Sequence, residues 1–175
     1  QHLENFTRQL VSPRWIKVSW GSDTNDSYPT TIEAVCKDRL NLLLDISSAL
    51  STTYQSSVIA AEELKDEFPD AKILTVDSLC ASLGQGLFVY LCAQEQKKGK
   101  TINEVKAFAE ATKGRVCHWF TVDDLNHLKR GGRINAATAI MGTMLSIKPI
   151  LHVDEEGHLI AIGKVRGRKK SIAAL

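Results

Sequence analysis

Hydroxyl side chains cluster where Ser47, Ser48, Ser51, Thr52 and Thr53 follow a dense apolar run. The run is short enough for a buried parallel strand, and the residues after the cluster have the pattern of a helix with a charged outer face. In open α/β sheets, ligands bind at the carboxyl ends of strands, where helix N-termini supply free N–H groups. Hydroxyls there can donate to a carboxylate or a phosphate. The same residue types also serve as plain N-caps and turn formers.

The next apolar run repeats this arrangement, because it ends in Asp77-Ser78 and is followed by Ser82. Gly84 and Gly86 open the helix after it, and glycine lets a backbone or a ligand approach closely, although it also relieves helix–strand packing. If the two strands are neighbours, Ser78 and Ser82 lie near the first cluster. Two adjacent strand ends with hydroxyls indicate a binding site more specifically than one alone.

A cationic turn precedes a segment rich in small residues. In "LKRGGRI" we expect Gly131 and Gly132 to end a helix, and Arg133 either to bind an anion in a fork or to be a solvated C-cap residue. The segment "NAATAIMGTMLSI" is predicted to be an apolar helix. Its small residues leave room for an alkyl chain, and tight helix packing explains them equally well. The residues that would line such an alkyl-chain pocket are Ile134, Ala137, Ile140, Met141, Met144 and Leu145.

Five cations fall within seven residues towards the end of the chain, namely Lys164, Arg166, Arg168, Lys169 and Lys170. A solvated face is the usual explanation for such a run. Docking to an acidic partner or to phosphate is the second explanation.

Patterns for catalysis and metal binding are not found. The histidines are scattered, and none pairs with a serine or cysteine in a way that predicts a hydrolase triad. The four cysteines form no CxxC pair and have no zinc-like spacing with histidine. Cys36, Cys80 and Cys92 lie in apolar contexts and are predicted to be reduced core thiols. We therefore expect neither a metal nor a cofactor.

Composition favours an ordinary globular protein, with 43% hydrophobic and 24% charged residues. The formal net charge of +2 is too small to indicate nucleic-acid binding. No signal peptide opens the chain, and no apolar run reaches the roughly 18 residues of a membrane span. The sequence thus predicts a cytoplasmic protein without stable membrane insertion.

Strands and helices alternate through the first part of the chain, which predicts an α/β fold with a parallel sheet and covering helices. "WIKVSW", "LNLLLDIS" and "AKILTVDS" are predicted strands, "TIEAVCKDRL" has a short helical pattern, and Thr101 with Glu104 forms a capping box for a later helix. The pattern changes near Arg115. Residues 1–115 are predicted to be a first domain that contains the hydroxyl-rich strand ends. Residues 116–175 are predicted to be part of a second, smaller α/β domain, with a strand "VCHWFTV" and a hairpin about "DEEG".

The chain resembles the DegV family, the fatty-acid-binding subunits of bacterial fatty acid kinases. The resemblance rests on "ISSALSTTYQSS", "VDSLCASLGQG", "LKRGGRI", "GTMLSIKPIL" and "KVRGRKK", which occur in the family's order over roughly residues 41–175. It implies two α/β domains with a fatty acid buried between them, the carboxylate in a head-group site of the first domain (residues 1–115) and the acyl chain in a lipid tunnel of the second (residues 116–175). It also implies that the protein is a carrier in phospholipid metabolism, without enzymatic activity of its own.

By resemblance, hydroxyls at the first-domain strand ends hold the fatty-acid carboxylate, which is presented to an ATP-dependent kinase subunit. The residues expected at the carboxylate are Ser47, Ser48, Ser51, Ser78, Ser82 and Arg133, and those expected to face the kinase are Arg166, Arg168 and Lys169.

The chain departs from the family pattern in three places. Thr52 stands where the family has glycine, and Asp26 stands where the family has a head-group threonine. Family members also continue well beyond residue 175, so we expect a fragment or a shortened member. Two alternatives to the carrier are a degenerate member that acts only in protein–protein association, and a hydrolase or transferase that uses the serine cluster. The last is disfavoured because the sequence positions no base to activate a serine.

Overall fold

The computed structural model describes residues 16–19, 40–123, 125–134 and 146–175. The chain divides into two compact units, Gln1–Val116 and Cys117–Leu175. The functions assigned to the two predicted domains, head-group site and lipid tunnel, stay predictions. In the part of the chain that is described, no helix combines the length and the apolar character needed to cross a bilayer.

The first unit contains a parallel sheet in the order β1-β2-β3. Its strands are β1 (Ile16–Ser19), β2 (Leu40–Asp45) and β3 (Lys72–Asp77). In the register between β2 and β3, Leu44 pairs with Val76 and Asp45 pairs with Asp77. The predicted parallel sheet is therefore confirmed, and each predicted strand segment contains an observed strand.

Three helices of the first unit follow its strands: α1 (Thr53–Glu67), α2 (Ser82–Lys97) and α3 (Ile102–Thr112). The helix α3 continues into a 3-10 turn, Lys113–Arg115. Its N-terminus is the predicted capping box, in which the Thr101 hydroxyl accepts from the Glu104 N–H and the Glu104 carboxylate accepts from the Thr101 N–H. Helices are expected after these strands because a right-handed crossover packs them onto the sheet.

The two faces of β2 are buried by different partners, because successive side chains of a strand point to opposite faces. Leu42 and Leu44 are fully buried in a core with α2 and α3. Asp45 lies on the other face, where its carboxylate accepts a hydrogen bond from Ser57 of α1. The main core comprises Leu42, Leu44, Val76, Cys80, Phe88, Val89, Cys92, Ala93, Ile102, Val105 and Ala109. Truncating the fully buried Phe88 to alanine is expected to cost about 3–5 kcal/mol.

The second unit contains an antiparallel sheet in the order β4-β5-β6. Its elements are β4 (Trp119–Phe120), α4 (Leu125–Arg130), β5 (Ile147–Val153), β6 (Leu159–Arg166) and α5 (Arg168–Ala173). The strands β5 and β6 pair about an acidic turn, with Val153 opposite Leu159. This is the predicted hairpin, and α5 follows β6 after Gly167.

The structure corrects two expectations about the second unit. The strand predicted over residues 116–122 is only Trp119–Phe120, because only these two residues pair with β5. The helix α4 ends directly before Gly131 and Gly132, as predicted, and Gly132 adopts the left-handed conformation with φ of +72°. The predicted helix "NAATAIMGTMLSI" does not extend to its last residues, since Ser146 is in a turn with φ of +74° and Ile147 begins β5. Its residues 135–145 lie outside the described residues, as do residues 31–39 of the predicted helical segment "TIEAVCKDRL", whose last residue, Leu40, begins β2 instead.

Candidate functional site

Two aspartates end neighbouring strands side by side. Asp45 is the last residue of β2 and Asp77 is the last of β3, and they are partners in the parallel register. The loops to α1 and α2 therefore leave the sheet at the same edge. The predicted hydroxyl residues Ser47, Ser48 and Ser78 lie in these loops, so the structure brings the two predicted strand-end clusters together.

Backbone hydrogen bonds join the two loops beyond the ends of the strands. The Ser78 N–H donates to the Asp45 carbonyl at 3.2 Å, and the Ser47 N–H donates to the Cys80 carbonyl at 2.9 Å. The Asp77 carboxylate adds a side-chain link, because its Oδ1 accepts from the Ser48 N–H and from the Leu79 N–H, each at 3.1 Å. The loops are thus held against each other by both backbone and side chain.

The hydroxyls at this edge differ in what they bind. Ser47 and Ser78 are fully buried, and their Oγ atoms accept backbone N–H groups from Ala49 and Cys80, at 3.3 Å and 3.1 Å. These are the turn hydrogen bonds that the plain structural interpretation predicted. Ser48 is half-buried, and among the described residues its hydroxyl has no hydrogen-bond partner. Its hydroxyl is therefore free to donate to a ligand.

Ser51 lies beside the first residue of α1. Its Oγ is 2.7 Å from the Thr53 Oγ1 and accepts the Thr53 N–H at 3.3 Å. This pair of hydroxyls can still turn one O–H towards a ligand, because one donor suffices for the bond between them.

The N-termini of α1 and α2 lack the capping box that α3 has. Thr52 and Ala81 occupy the N-cap positions without a side-chain cap hydrogen bond, and neither helix has an acidic residue in its first turn. In contrast, α3 has a complete capping box with Glu104 in the first turn. The first N–H groups of a helix lack carbonyl partners and carry a partial positive charge. The two helices that begin at the hydroxyl-rich edge therefore lack a capping box and a first-turn carboxylate, which leaves room for an anion there.

The loop from β3 to α2 has an unfavourable backbone conformation. Leu79 has φ of +54° and Ser82 has φ of +51°, and residues other than glycine seldom adopt such positive φ values. Ser82 is the first residue of α2 and is exposed. Backbone strain of this kind occurs where the surrounding structure holds it, often at binding sites.

The thiol of Cys80 is part of the core and not of the binding chemistry. Burial raises the pKa of Cys80 to about 12, with the Ser78 hydrogen bond opposing this and the Asp77 charge adding to it. Burial likewise raises the pKa of Cys92 to about 12. Both are the buried, protonated thiols that the sequence predicts, whereas Cys36 lies outside the described residues.

Arg133 and Ile134 belong to the second unit. The Arg133 N–H donates to the Leu128 carbonyl at 3.0 Å, and its guanidinium donates to the Gly131 carbonyl at 2.6 Å. Arg133 thus has contacts of a helix C-cap, one of its two predicted roles. Ile134 is buried with Leu125 and Leu151 in the core of this unit. The other predicted pocket residues, Ala137, Ile140, Met141, Met144 and Leu145, lie outside the described residues.

The basic run is divided between a strand and a helix. Lys164 and Arg166 lie on β6, Gly167 turns the chain with φ of +88°, and Arg168 and Lys169 begin α5. All four cations are exposed, and the Arg168 guanidinium lies 3.9 Å from the Asp123 carboxylate. Cations in the first turn oppose the helix dipole, so helix stability does not account for them.

A group of possible metal ligands lies in the turn between β5 and β6, where ligand atoms of Asp154, Glu156 and His158 are within 4.8 Å of one another. The Asp154 Oδ1 already accepts the N–H groups of Glu156 and His158. The cluster is therefore accounted for by the hairpin turn.

Comparison with known proteins identifies the family. The model of the DegV family matches residues 26–175. The chain belongs to the DegV family. A DegV domain-containing protein of Clostridium perfringens is 54% identical over 134 residues, which are 77% of this chain and 46% of the relative.

Solved DegV structures share this fold. A DegV protein from Thermus thermophilus, described for its fatty-acid binding, is 39% identical with a TM-score of 0.66, over 79% of this chain and 48% of the other. The Streptococcus pneumoniae fatty acid kinase (Fak) B3 protein, loaded with linoleic acid, is 26% identical with a TM-score of 0.74, over 81% and 50% of the two chains. The chain thus spans about half the length of the relatives it matches.

Sequence reasoning did not assign a role to the two strand-end aspartates of this DegV chain. The available signal was the repetition of an apolar run that ends in aspartate and is followed within two residues by serine, as Asp45-Ile46-Ser47 and Asp77-Ser78. In parallel strands, equivalent positions are brought side by side, which makes such a repeat informative.

Proposed function

We propose that this DegV protein binds a long-chain fatty acid, with the carboxylate at the edge where β2 and β3 end. The observation that carries the proposal is that this edge brings together the Ser48 hydroxyl, which has no partner among the described residues, and the N-termini of α1 and α2, whose N-cap residues make no side-chain cap hydrogen bond. Solved DegV proteins that contain linoleic acid or are described as binding fatty acids support the choice of ligand.

The carboxylate is held by neutral donors. The Ser48 hydroxyl and the Ser51–Thr53 pair offer O–H groups, and the first turn of α1 offers N–H groups. Ser47 and Ser78 support the loops from within, and Ser82 offers a further exposed hydroxyl at the start of α2. Hydrogen bonds to a charged group contribute about 1.5–3 kcal/mol each. Two such bonds are enough to orient a head group, while burial of the acyl chain supplies most of the affinity.

The acyl chain is proposed to lie along residues of the second unit. Of the residues predicted to line the acyl chain, Ile134 is described and is buried, whereas Ala137, Ile140, Met141, Met144 and Leu145 lie outside the described residues. Arg133 stays a predicted head-group residue. Each buried methylene contributes about 0.8 kcal/mol, so a long chain needs an apolar wall more than it needs further polar contacts.

The protein is proposed to be a carrier that presents the carboxylate to a kinase subunit. Among the described residues, no base accepts a hydrogen bond from the Ser48 hydroxyl, so nothing there activates it as a nucleophile. Arg166, Arg168 and Lys169 form an exposed cationic surface that suits an acidic or phosphate-bearing partner. The name of the pneumococcal relative, a fatty acid kinase B3 protein, supports a kinase as that partner.

The first test is mass spectrometry of an organic extract from the folded protein, compared with a mock purification. We expect one fatty acid per chain, and uptake of added oleate by delipidated protein. Ser48→Ala should take up less oleate, whereas Ser56→Ala, which removes an exposed serine of α1, should behave as the parent does. If the parent chain contains no lipid and takes up none, the carrier proposal fails and the alternative of a purely protein-binding family member is favoured.

A further inference from the structure

A single carboxylate oxygen links the two loops that surround the proposed head-group site. Asp77 Oδ1 accepts the N–H of Ser48 from the loop after β2, and the N–H of Leu79 from the loop after β3. The residues Ser48 and Asp77 are 29 positions apart in the chain, so this contact is a tertiary one. An ionised acceptor forms stronger hydrogen bonds to backbone N–H groups than a neutral one does.

The link determines how Ser48 can contact a ligand. Its N–H is occupied by Asp77, and therefore only its hydroxyl is available to an anion. A backbone fixed at its N–H leaves the side chain with rotation about one bond, χ1. The hydroxyl is consequently presented from a fixed point, which reduces the entropy lost when it binds a head group.

The link also holds an unfavourable conformation in the second loop. Leu79 has φ of +54°, and its N–H is the second donor to Asp77 Oδ1. Without that acceptor, the residue is free to relax towards negative φ, which a leucine prefers. The carbonyl of the next residue, Cys80, accepts the Ser47 N–H, so relaxation of this loop would also move the serine loop.

We propose that Asp77 is a positioning residue for the head-group site, which holds the Ser48 hydroxyl in place without touching the ligand. The role follows from its hydrogen bonds to both loops, and it rests on the proposed function of this edge as a fatty-acid carboxylate site. Asparagine at this position keeps an oxygen that can accept both N–H groups, whereas alanine removes it.

The test compares Asp77→Ala, Asp77→Asn, Ser48→Ala and the double variant D77A/S48A, with dissociation constants measured for a labelled oleate. We expect at least a tenfold loss of affinity for Asp77→Ala and no more than about a threefold change for Asp77→Asn. The double variant should bind no more weakly than Ser48→Ala alone, because Asp77 acts through Ser48. Val105→Ala is the control, since it destabilises the same unit from within the core and should leave the affinity unchanged.

Hydrogen exchange at the Ser48 and Leu79 amides gives a readout independent of lipid. Both amides should exchange at least tenfold faster in Asp77→Ala than in the parent, and should stay protected in Asp77→Asn. The proposal would be overturned by any one of three results. These are unchanged amide exchange in Asp77→Ala, unchanged oleate affinity in a folded Asp77→Ala, and losses of oleate affinity that are fully additive in the double variant. If the parent binds no oleate but the amides respond as expected, the link is supported and it is the proposed function that fails.

Discussion

Ser47 and Ser48 are adjacent in the sequence and should respond in opposite ways to substitution by alanine. Ser47 is fully buried, and its Oγ accepts the Ala49 N–H at 3.3 Å. Ser48 is half-buried, and among the described residues its hydroxyl has no partner. Substitution of Ser47 therefore removes an internal hydrogen bond, whereas substitution of Ser48 removes a group that the fold does not use.

The magnitudes follow from these contacts. Ser47→Ala should lower the free energy of unfolding by about 0.5–1.5 kcal/mol, the usual contribution of one hydrogen bond. We expect a value near the lower end, because the hydrogen bond from the Ala49 N–H to the Ser47 Oγ is long, at 3.3 Å. For a chain of this size, about 1 kcal/mol corresponds to a fall in Tm of roughly 2–4 °C. Ser48→Ala should leave Tm within about 1 °C, and weaken fatty-acid binding by about 1.5–3 kcal/mol, or roughly 10- to 150-fold in Kd.

The assay pairs thermal unfolding of the delipidated proteins with competition binding of a labelled fatty acid. Ser56→Ala is the matched control for loss of a hydroxyl on the same loop–helix segment. The reasoning would be refuted by a Ser47→Ala protein of parental stability whose fatty-acid affinity has fallen as far as that of Ser48→Ala. That result would mean that the buried hydroxyl, and not the free one, contacts the ligand.

Further predictions concern a strained residue, a helix cap and the basic run. Ser82→Gly should raise the free energy of unfolding by about 1 kcal/mol, because glycine adopts φ of +51° without strain. The same substitution removes the hydroxyl and should weaken fatty-acid binding. Higher stability with unchanged affinity would exclude Ser82 from the site. Hydrogen bonds from the Thr101 N–H and hydroxyl lower the pKa of Glu104 in the folded protein. The ionised Glu104 therefore stabilises the fold fully above the pKa that this carboxyl has in the unfolded chain. The stabilisation is lost as the pH falls through the lower pKa of the folded protein. The Tm difference between the parent and Glu104→Gln should therefore be present at pH 7 and disappear in acid; a difference that persists in acid contradicts this. Arg166→Glu with Arg168→Glu should preserve oleate binding and slow association with a kinase subunit, measured by the salt dependence of the on-rate.

Local patterns were sufficient to predict most elements in the described part of the first unit. The apolar runs of β2 and β3 and the Thr101–Glu104 capping box depend on neighbouring residues, and the structure contains all three. The antiparallel strand β4 was predicted too long, because its length depends on pairing with β5, more than twenty residues further along the chain. Periodicity at Trp119 and Phe120 cannot reveal where that pairing stops.

The details of the site were less predictable than its place. The hydroxyl cluster was predicted at the correct edge, but the different positions of Ser47 and Ser48 depend on which N–H and carbonyl groups the opposite loop supplies. Asp77 reaches Ser48 across 29 positions, and nothing in the local sequence predicts that contact. Left-handed φ at Leu79 and Ser82 was equally unpredictable, because neither residue type favours it.

The pairing of Asp45 with Asp77 has a consequence for how the sheet assembles. The strands β2 and β3 are largely apolar, so a shift of two residues between them would keep the same faces buried and would cost little hydrophobic energy. Such a shift would move the Asp77 carboxylate more than 6 Å along the strand direction, away from the Ser48 N–H. The carboxylate link is therefore compatible only with the observed register, and it favours that alignment of the two strands over the shifted one.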